Sequence, residues 1–281
     1  MGILIPVEDR VSTYPGRVIL TPVSGQTNVY DMSRADEPVQ VGTPLNKALL
    51  DQKAYTLTDD VTVYVSVSGS DADGDGSSVA PFATIQTALD ALPRHLGGHT
   101  ATISIANGTY EERIIVDGFS GGKLVIGQSG RSIVVRGISV TNSNHVTFNI
   151  SNVTWAAGFS GTIFSISYNS SVTLGSGMTI RCAGSTEVGL GVTYGSELVS
   201  ADTVVTVLNC ARSAIRVTYG SKAAFYSITG SDNTDLGLVA EKGGILSYSS
   251  TNLSSTGGDV SRTGGRILYG SGSELSPASV V

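Results

Sequence analysis

Asp71-Ala-Asp73-Gly-Asp75-Gly76 is the segment whose residue types and spacing come closest to a known chemistry. Three carboxylates at alternate positions before a glycine match the opening of a calcium-binding loop. The match then breaks, because the position of the closing bidentate glutamate holds Phe82, followed by Ala83. Asp and Gly are also turn formers, so a solvated turn accounts for the same residues. Asp71, Asp73 and Asp75 are therefore a weak metal candidate, and the expectation is no metal and no cofactor.

Acid–base chemistry needs titratable groups held close together. Between Gly137 and Ile180 there is no Asp, Glu, Lys or Arg: 44 residues whose one candidate acid or base is His145. Beyond that run lie Glu187, Glu197, Asp202, Asp232, Asp235 and Glu241, the acids a cleft would have to gather. His95, His99 and His145 lack ligand spacing, and Cys and His form no zinc pattern.

What must position these residues is a repeat. Short β-forming runs begin at Val116, Val140, Ile166, Val192, Val217, Val239 and Ile267, at steps of 24, 26, 26, 25, 22 and 28 residues. The clearest copies read Val192-Thr-Tyr-Gly-Ser, Val217-Thr-Tyr-Gly-Ser and Ile267-Leu-Tyr-Gly-Ser. At the loosest step, Ala240 fits the register as well as Val239. A period in this range, built from strand and turn signals, is that of a stacked β-solenoid. Each coil cannot bury its apolar face alone and must stack on its neighbours.

Stacking assigns roles to several residues. Tyr168, Tyr194, Tyr219 and Tyr269 each fall two residues after a coil start. An exposed stripe of them would suit sugar stacking, but period two places them with the preceding Val or Ile, inward or at the coil corner. A stabilising aromatic ladder is the expected role. Glu197 and Lys222 occupy equivalent places in adjacent coils, about 4.8 Å apart, and should form an exposed ion pair. Cys182 and Cys210 could share nearly one place in adjacent coils. With no secretory signal at the start of the chain and a reducing cytoplasm assumed, they are expected to be buried thiols rather than a disulfide.

Composition agrees. The 281 residues include 35 Gly and 38 Ser, and only 14% are charged, against about 25% in ordinary domains. The net charge of −6 comes without a basic stripe, which argues against nucleic acid. No apolar run is long enough to cross a bilayer, so no membrane insertion is expected. Five of the eight prolines fall in the first fifty residues, outside the repeats. There, residues 17 to 23 suit one strand before a Ser24-Gly25 turn, and Thr43-Pro44-Leu45-Asn46 reads as a helix start.

Two resemblances attach to these segments. Gly16-Arg17-Val18, Leu20-Thr21-Pro22-Val23, Arg34-Ala35-Asp36-Glu37-Pro38 and Gly42-Thr43-Pro44-Leu45-Asn46-Lys47 resemble the opening of tailed-phage and prophage structural proteins. That resemblance implies virion attachment through residues 1–60, with Arg17, Arg34, Asp36, Pro38, Thr43, Pro44, Leu45 and Asn46 carrying it. Tyr64-Val-Ser-Val-Ser-Gly-Ser-Asp71 and Pro81-Phe-Ala-Thr-Ile-Gln-Thr-Ala-Leu89 resemble the entry to pectin-lyase-like right-handed parallel β-helices. It implies a β-helix over residues 61–281, opened by a capping helix near 82–92 whose Ile85, Ala88, Leu89 and Leu92 make one apolar face. Together they lead us to expect an all-β fibre or spike of the virion, a homotrimer held to other virion proteins and adhering to host-surface glycan. Cleavage of that glycan is one alternative, disfavoured by the uncharged middle coils; a purely architectural fibre of the tail or head, without a ligand, is the other.

Overall fold

The computed structural model describes residues 56–154, 161–182, 188–256, 260–262, 264–269 and 273–274, with short strand and turn segments between 11 and 40. The chain divides into two units, Met1–Ala54 and Tyr55–Val281, a boundary slightly ahead of the expected one. In the first unit β1 (Val11–Ser12) pairs antiparallel with β4 (Pro38–Gln40), and β2 (Val18–Pro22) with β3 (Tyr30–Arg34). The expected strand and the Ser24-Gly25 turn are both present, with Gly25 at φ +79°. Arg34 and Pro38 lie on these strands. Arg17, Asp36, Thr43, Pro44, Leu45 and Asn46, and with them the expected helix start, lie outside the described residues.

The second unit is a parallel β-helix whose coils each carry three strand faces. The first face stacks β5 (Val61–Val65), β6 (Thr100–Ile105), β8 (Lys123–Gly127), β10 (Val146–Asn149), β13 (Ser171–Leu174) and β16 (Glu197–Ser200). It continues with the opening halves of β19 (Lys222–Asn233) and β21 (Ile245–Ser255), then β23 (Arg266–Tyr269). The second face includes the opening of β7 (Gly108–Asp117) and of β9 (Ile133–Thr141), then β11 (Asn152–Thr154), β14 (Met178–Arg181) and β17 (Val204–Leu208). The third runs from the closing halves of β7 and β9 through β12 (Thr162–Ser167), β15 (Val188–Val192), β18 (Ser213–Thr218), β20 (Leu236–Glu241) and β22 (Val260–Arg262). Alternation within each strand sends Val, Ile, Leu and Phe inward, where Ile103, Ile126, Phe148, Leu190 and Val217 are fully buried.

The repeat read from the sequence is the third face, with two corrections. Val116, Val140, Ile166, Val192 and Val217 do align in register, but the next member is Ala240, not Val239, followed by Ser261. Ile267 belongs to the first face, opposite Leu246. Its Tyr-Gly-Ser ending mimics a third-face copy because every corner of the coil draws on the same turn residues.

The corner between third and first faces shows why that ending recurs. Tyr168-Asn169, Tyr194-Gly195, Tyr219-Gly220 and Lys242-Gly243 all have both φ values between +52° and +78°, the backbone of a type I′ turn. The serine that follows points inward. Ser143, Ser170, Ser196 and Ser221 are all buried, and each hydroxyl accepts from the backbone N–H of the coil above at 3.1–3.2 Å: Phe119, Ser143, Ser170 and Ser196 in turn. Gly244 takes the next place, where a Cβ would stand 2.2 Å from the Val217 carbonyl oxygen. Replacing Ser196 with Ala leaves the Ser170 N–H buried without an acceptor. A loss of about 1–3 kcal/mol is expected, read from the denaturant midpoint; a loss below a few tenths would remove the ladder from the stabilising interactions.

The capping helix is α1 (Ile85–Asp90), which buries Ile85, Ala88 and Leu89. Thr84 is its N-cap, with Oγ1 accepting from the Thr87 N–H at 3.2 Å. Glu112, on β7, accepts from the Ile85 and Gln86 N–H groups at 2.7 and 2.9 Å, tying the helix to the coil it covers. Gln86 in turn exchanges two hydrogen bonds with the backbone of Ile115. Helix and first coil thus shield an edge that would otherwise be open for pairing.

Candidate functional site

The three carboxylates of the calcium-like segment do not converge. Asp71 accepts from the Ala83 and Thr84 N–H groups and the Thr84 hydroxyl at 2.8–3.0 Å. Burial raises its pKa, but the Thr84 and Ala83 hydrogen bonds outweigh that and hold it below the ordinary value. Asp73 takes the Ser70 hydroxyl, and Asp75 the Ser77 N–H. The segment is a turn that delivers the chain to α1. Glu112 moves the other way: burial, the largest influence, pushes its carboxyl up, against the bonds from Ile85 and Gln86. Among the described residues no group of three or more His, Cys, Asp or Glu is placed to hold a metal.

The tyrosine ladder exists, but it faces outward. Tyr168, Tyr194 and Tyr219 are 52%, 46% and 43% exposed, with ring centroids 5.1 and 4.7 Å apart and planes within 10°. Of the two places expected, inward or at the coil corner, the corner holds: all three adopt positive φ there, which turns their rings outward. Below them Lys242 lies 4.4 Å from the Tyr219 ring centre and donates to its hydroxyl at 2.6 Å. That bond raises the Lys242 pKa. Tyr194 is covered on both ring faces by its neighbours, and Tyr168 on one. The ladder serves the corner: ring stacking offsets the left-handed backbone that a non-glycine residue adopts at a cost of about 1–2 kcal/mol. Tyr269 is not part of it. Its strand register places it opposite Tyr248 on the first face.

Glu197 and Lys222 are register partners and pair at 3.3 Å with both side chains more than half exposed. An exposed pair of this kind contributes little. Other acids are also engaged: Glu111 with Arg136, and Glu241 with Arg216. The second pair lies in a depression of about 280 Å³ on the third face, where Arg212, Arg216, Asp235 and Glu241 meet over Val239. Of the late-coil acids, Asp235 and Glu241 are thus brought to one place. Glu187 lies outside the described residues, and Glu197, Asp202 and Asp232 do not line that depression.

Cys182 and Cys210 are joined in a disulfide, with Cα atoms 5.0 Å apart, against the expectation of thiols. Both follow second-face strands, β14 and β17, that pair in register from Met178↔Val205 to Arg181↔Leu208. That register sets Cys182 opposite Asn209, and the left-handed turn at Asn209 (φ +58°) lets Cys210, one residue on, meet Cys182 in one buried corner; the spacing fits the range a disulfide spans. In the next coil Asn233 fills the same corner, accepting from the Cys210 N–H and donating to the carbonyls of Val207 and Ser254.

A broader, shallow depression of about 890 Å³ draws on four successive coils of the first face, lined by Gly, Asn, Ser and Thr with Lys123 and His145. Sequence reading did not single out these two as a pair. They lie 22 residues apart, and only the register Leu124↔Val146 makes them neighbours. No helix among the described residues is long and apolar enough to cross a membrane. Set against known proteins, the chain matches no family model, no curated protein and no solved structure.

Proposed function

We propose that this protein is a fibre or spike component of a tailed-phage virion, with a structural role and adhesion to a host-surface glycan. In this reading residues 1–60 attach it to other virion proteins, and the β-helix works as a parallel homotrimer. The observation that carries the adhesive part is one outer row of the first face, Thr62, Thr102, Val125, Thr147, Thr173, Val199, Ala224 and Ser247, in which five hydroxyls are interrupted by three apolar residues and no carboxylate occurs. Hydroxyls interleaved with apolar side chains on a rigid face suit contact with a polyol chain. Stacking of coils supplies a stiff scaffold without needing a catalytic centre.

A second reading, cleavage of the same glycan, is favoured by one feature: Asp235 and Glu241 share a depression with two guanidinium groups. Glycoside hydrolysis commonly uses two carboxylates across the scissile bond. Against it, the Glu241 carboxylate is already engaged by Arg216 and only 14% exposed. Incubation with purified host-envelope polysaccharides, scoring retention and products separately, distinguishes these readings. Retention without new reducing ends or unsaturated sugars is expected. Products that vanish in Asp235→Ala or Glu241→Ala would establish cleavage, and absence of retention on every polysaccharide would overturn adhesion.

A further inference from the structure

We infer that the shallow depression on the first face binds a polyhydroxylated chain carrying anionic groups, gripped by Lys123 and His145. The inference rests on the glycan-adhesion reading above and narrows it to one place and one charge.

The depression is concave because of what its floor lacks. Gly98, Gly121, Gly122 and Gly175 line it among small polar side chains. A Cβ on Gly122 would stand 2.4 Å from the His99 carbonyl oxygen, a backbone atom, whereas one on Gly175 would meet only the Asn149 side chain, at 2.5 Å from Oδ1. The Gly122 end of the trough is therefore fixed by the packing of the coils beneath it. Thr173 and Ser171 present hydroxyls along one side.

Charge points to the ligand. The protein carries −6 overall, and the ion pairs of the solenoid join Arg94 to Asp90, His99 to Asp60, Arg136 to Glu111, Arg216 to Glu241 and Lys222 to Glu197. Lys123 and His145 belong to none of them. They are exposed, stand on adjacent coils about 4.8 Å apart, and among the described residues no carboxylate lines their depression. The Lys123 ammonium without an acid, with the imidazole N–H of His145 beside it and the hydroxyls of Ser171 and Thr173 along the trough, is complementary to a carboxylate or phosphodiester on a polyol.

The backbone of His145 fixes where its ring starts. It is at φ +55°, the left-handed corner conformation that Tyr168, Tyr194 and Tyr219 also adopt. Two hydrogen bonds hold it there: its N–H donates to Ser171 Oγ at 2.8 Å, and its carbonyl accepts from the Leu124 N–H at 3.1 Å. The imidazole is thereby launched from a fixed base beside Lys123.

Affinity electrophoresis of the full chain through gels containing polygalacturonate, polyglycerol phosphate or neutral dextran tests this. Retardation by one or both polyanions is expected, and which of them acts separates a uronate from a phosphodiester ligand. The double variant Lys123→Ala/His145→Ala should weaken it at least about tenfold. Thr173→Glu, which leaves both side chains in place but puts a like charge in the trough, should weaken it as well. Lys222→Ala, on the same face but already paired with Glu197, should bind within about twofold of wild type, and all variants should keep the wild-type melting curve. Polyanion binding that survives the double variant overturns the site while leaving glycan adhesion standing, as does equal retardation by dextran. No retardation in any gel, together with no retention on host polysaccharide, removes both.

Discussion

Phe164→Ala is expected to destabilise the β-helix by about 3–5 kcal/mol, the range for emptying a fully buried aromatic site. Phe164 is completely buried on the third face, with Ile138 and Leu190 as its register partners above and below. Its ring meets that of Phe148, from the first face of the same coil, at 5.4 Å between centroids and 77° between planes. This edge-to-face pair adds about 0.5–1.5 kcal/mol beyond the buried area. Collapse into the cavity is limited, because each coil is pinned by ladder hydrogen bonds to both neighbours and cannot shift alone. Denaturant unfolding followed by circular dichroism measures the loss, and Phe164→Leu should cost less than half as much. A Phe164→Ala loss under about 1 kcal/mol would mean that this part of the core is not packed as described.

Removing the cross-link should have an effect of similar size. The disulfide joins residues 28 apart, one coil to the next. Closing a loop of that length in the unfolded chain is worth roughly 3–4 kcal/mol on the chain-entropy account. Cys182→Ala/Cys210→Ala, or unfolding in the presence of a reductant, should lower the midpoint by the corresponding amount. Because both residues are at most 1% exposed, a thiol reductant added to the native protein should reduce the disulfide slowly, and fast only once the coils open. Equal midpoints with and without reductant would show that the cross-link does not constrain the unfolded chain.

The disulfide also illustrates where sequence reading stopped. The offsets of Cys182 and Cys210 from their coil starts indicated nearly equivalent places, and the register confirmed it. What the offsets did not contain was the corner: Cys210 lies one residue further past its strand than Cys182, and the left-handed Asn209 between turns it into the same inner corner. An assumption about the redox state of the compartment then outweighed the geometry and pointed the wrong way. The tyrosines were left between two places, inward or at the corner. Alternation along a strand is reliable only while the backbone stays extended, and the Tyr-Gly step leaves it. Both φ values there are positive, so the ring emerges on the outside although its position in the count is inward.

Other parts were legible. The apolar face of Ile85, Ala88 and Leu89 follows from local spacing, and α1 has it, while Leu92, its expected fourth member, is buried just past the end of the helix. The Glu197–Lys222 pair needed only a period and a strand spacing. The serine ladder had a visible signal, the Ser after each Tyr-Gly, which the sequence reading passed over because an inward hydroxyl looks costly until its backbone partner in the next coil is known.

By itself the amino-acid sequence determined the coil period, the all-β class, the capping helix and the equivalence of positions in neighbouring coils. These depend on residue types at short range and on a repeat length, both of which are written along the chain. Only the tertiary structure decided which face each repeat occupies, that the tyrosines point out, that the cysteines join, and that Lys123 and His145 share one trough. Those outcomes depend on the corner turns, where one left-handed residue changes the direction of every side chain that follows, and on distances between coils that no local pattern encodes.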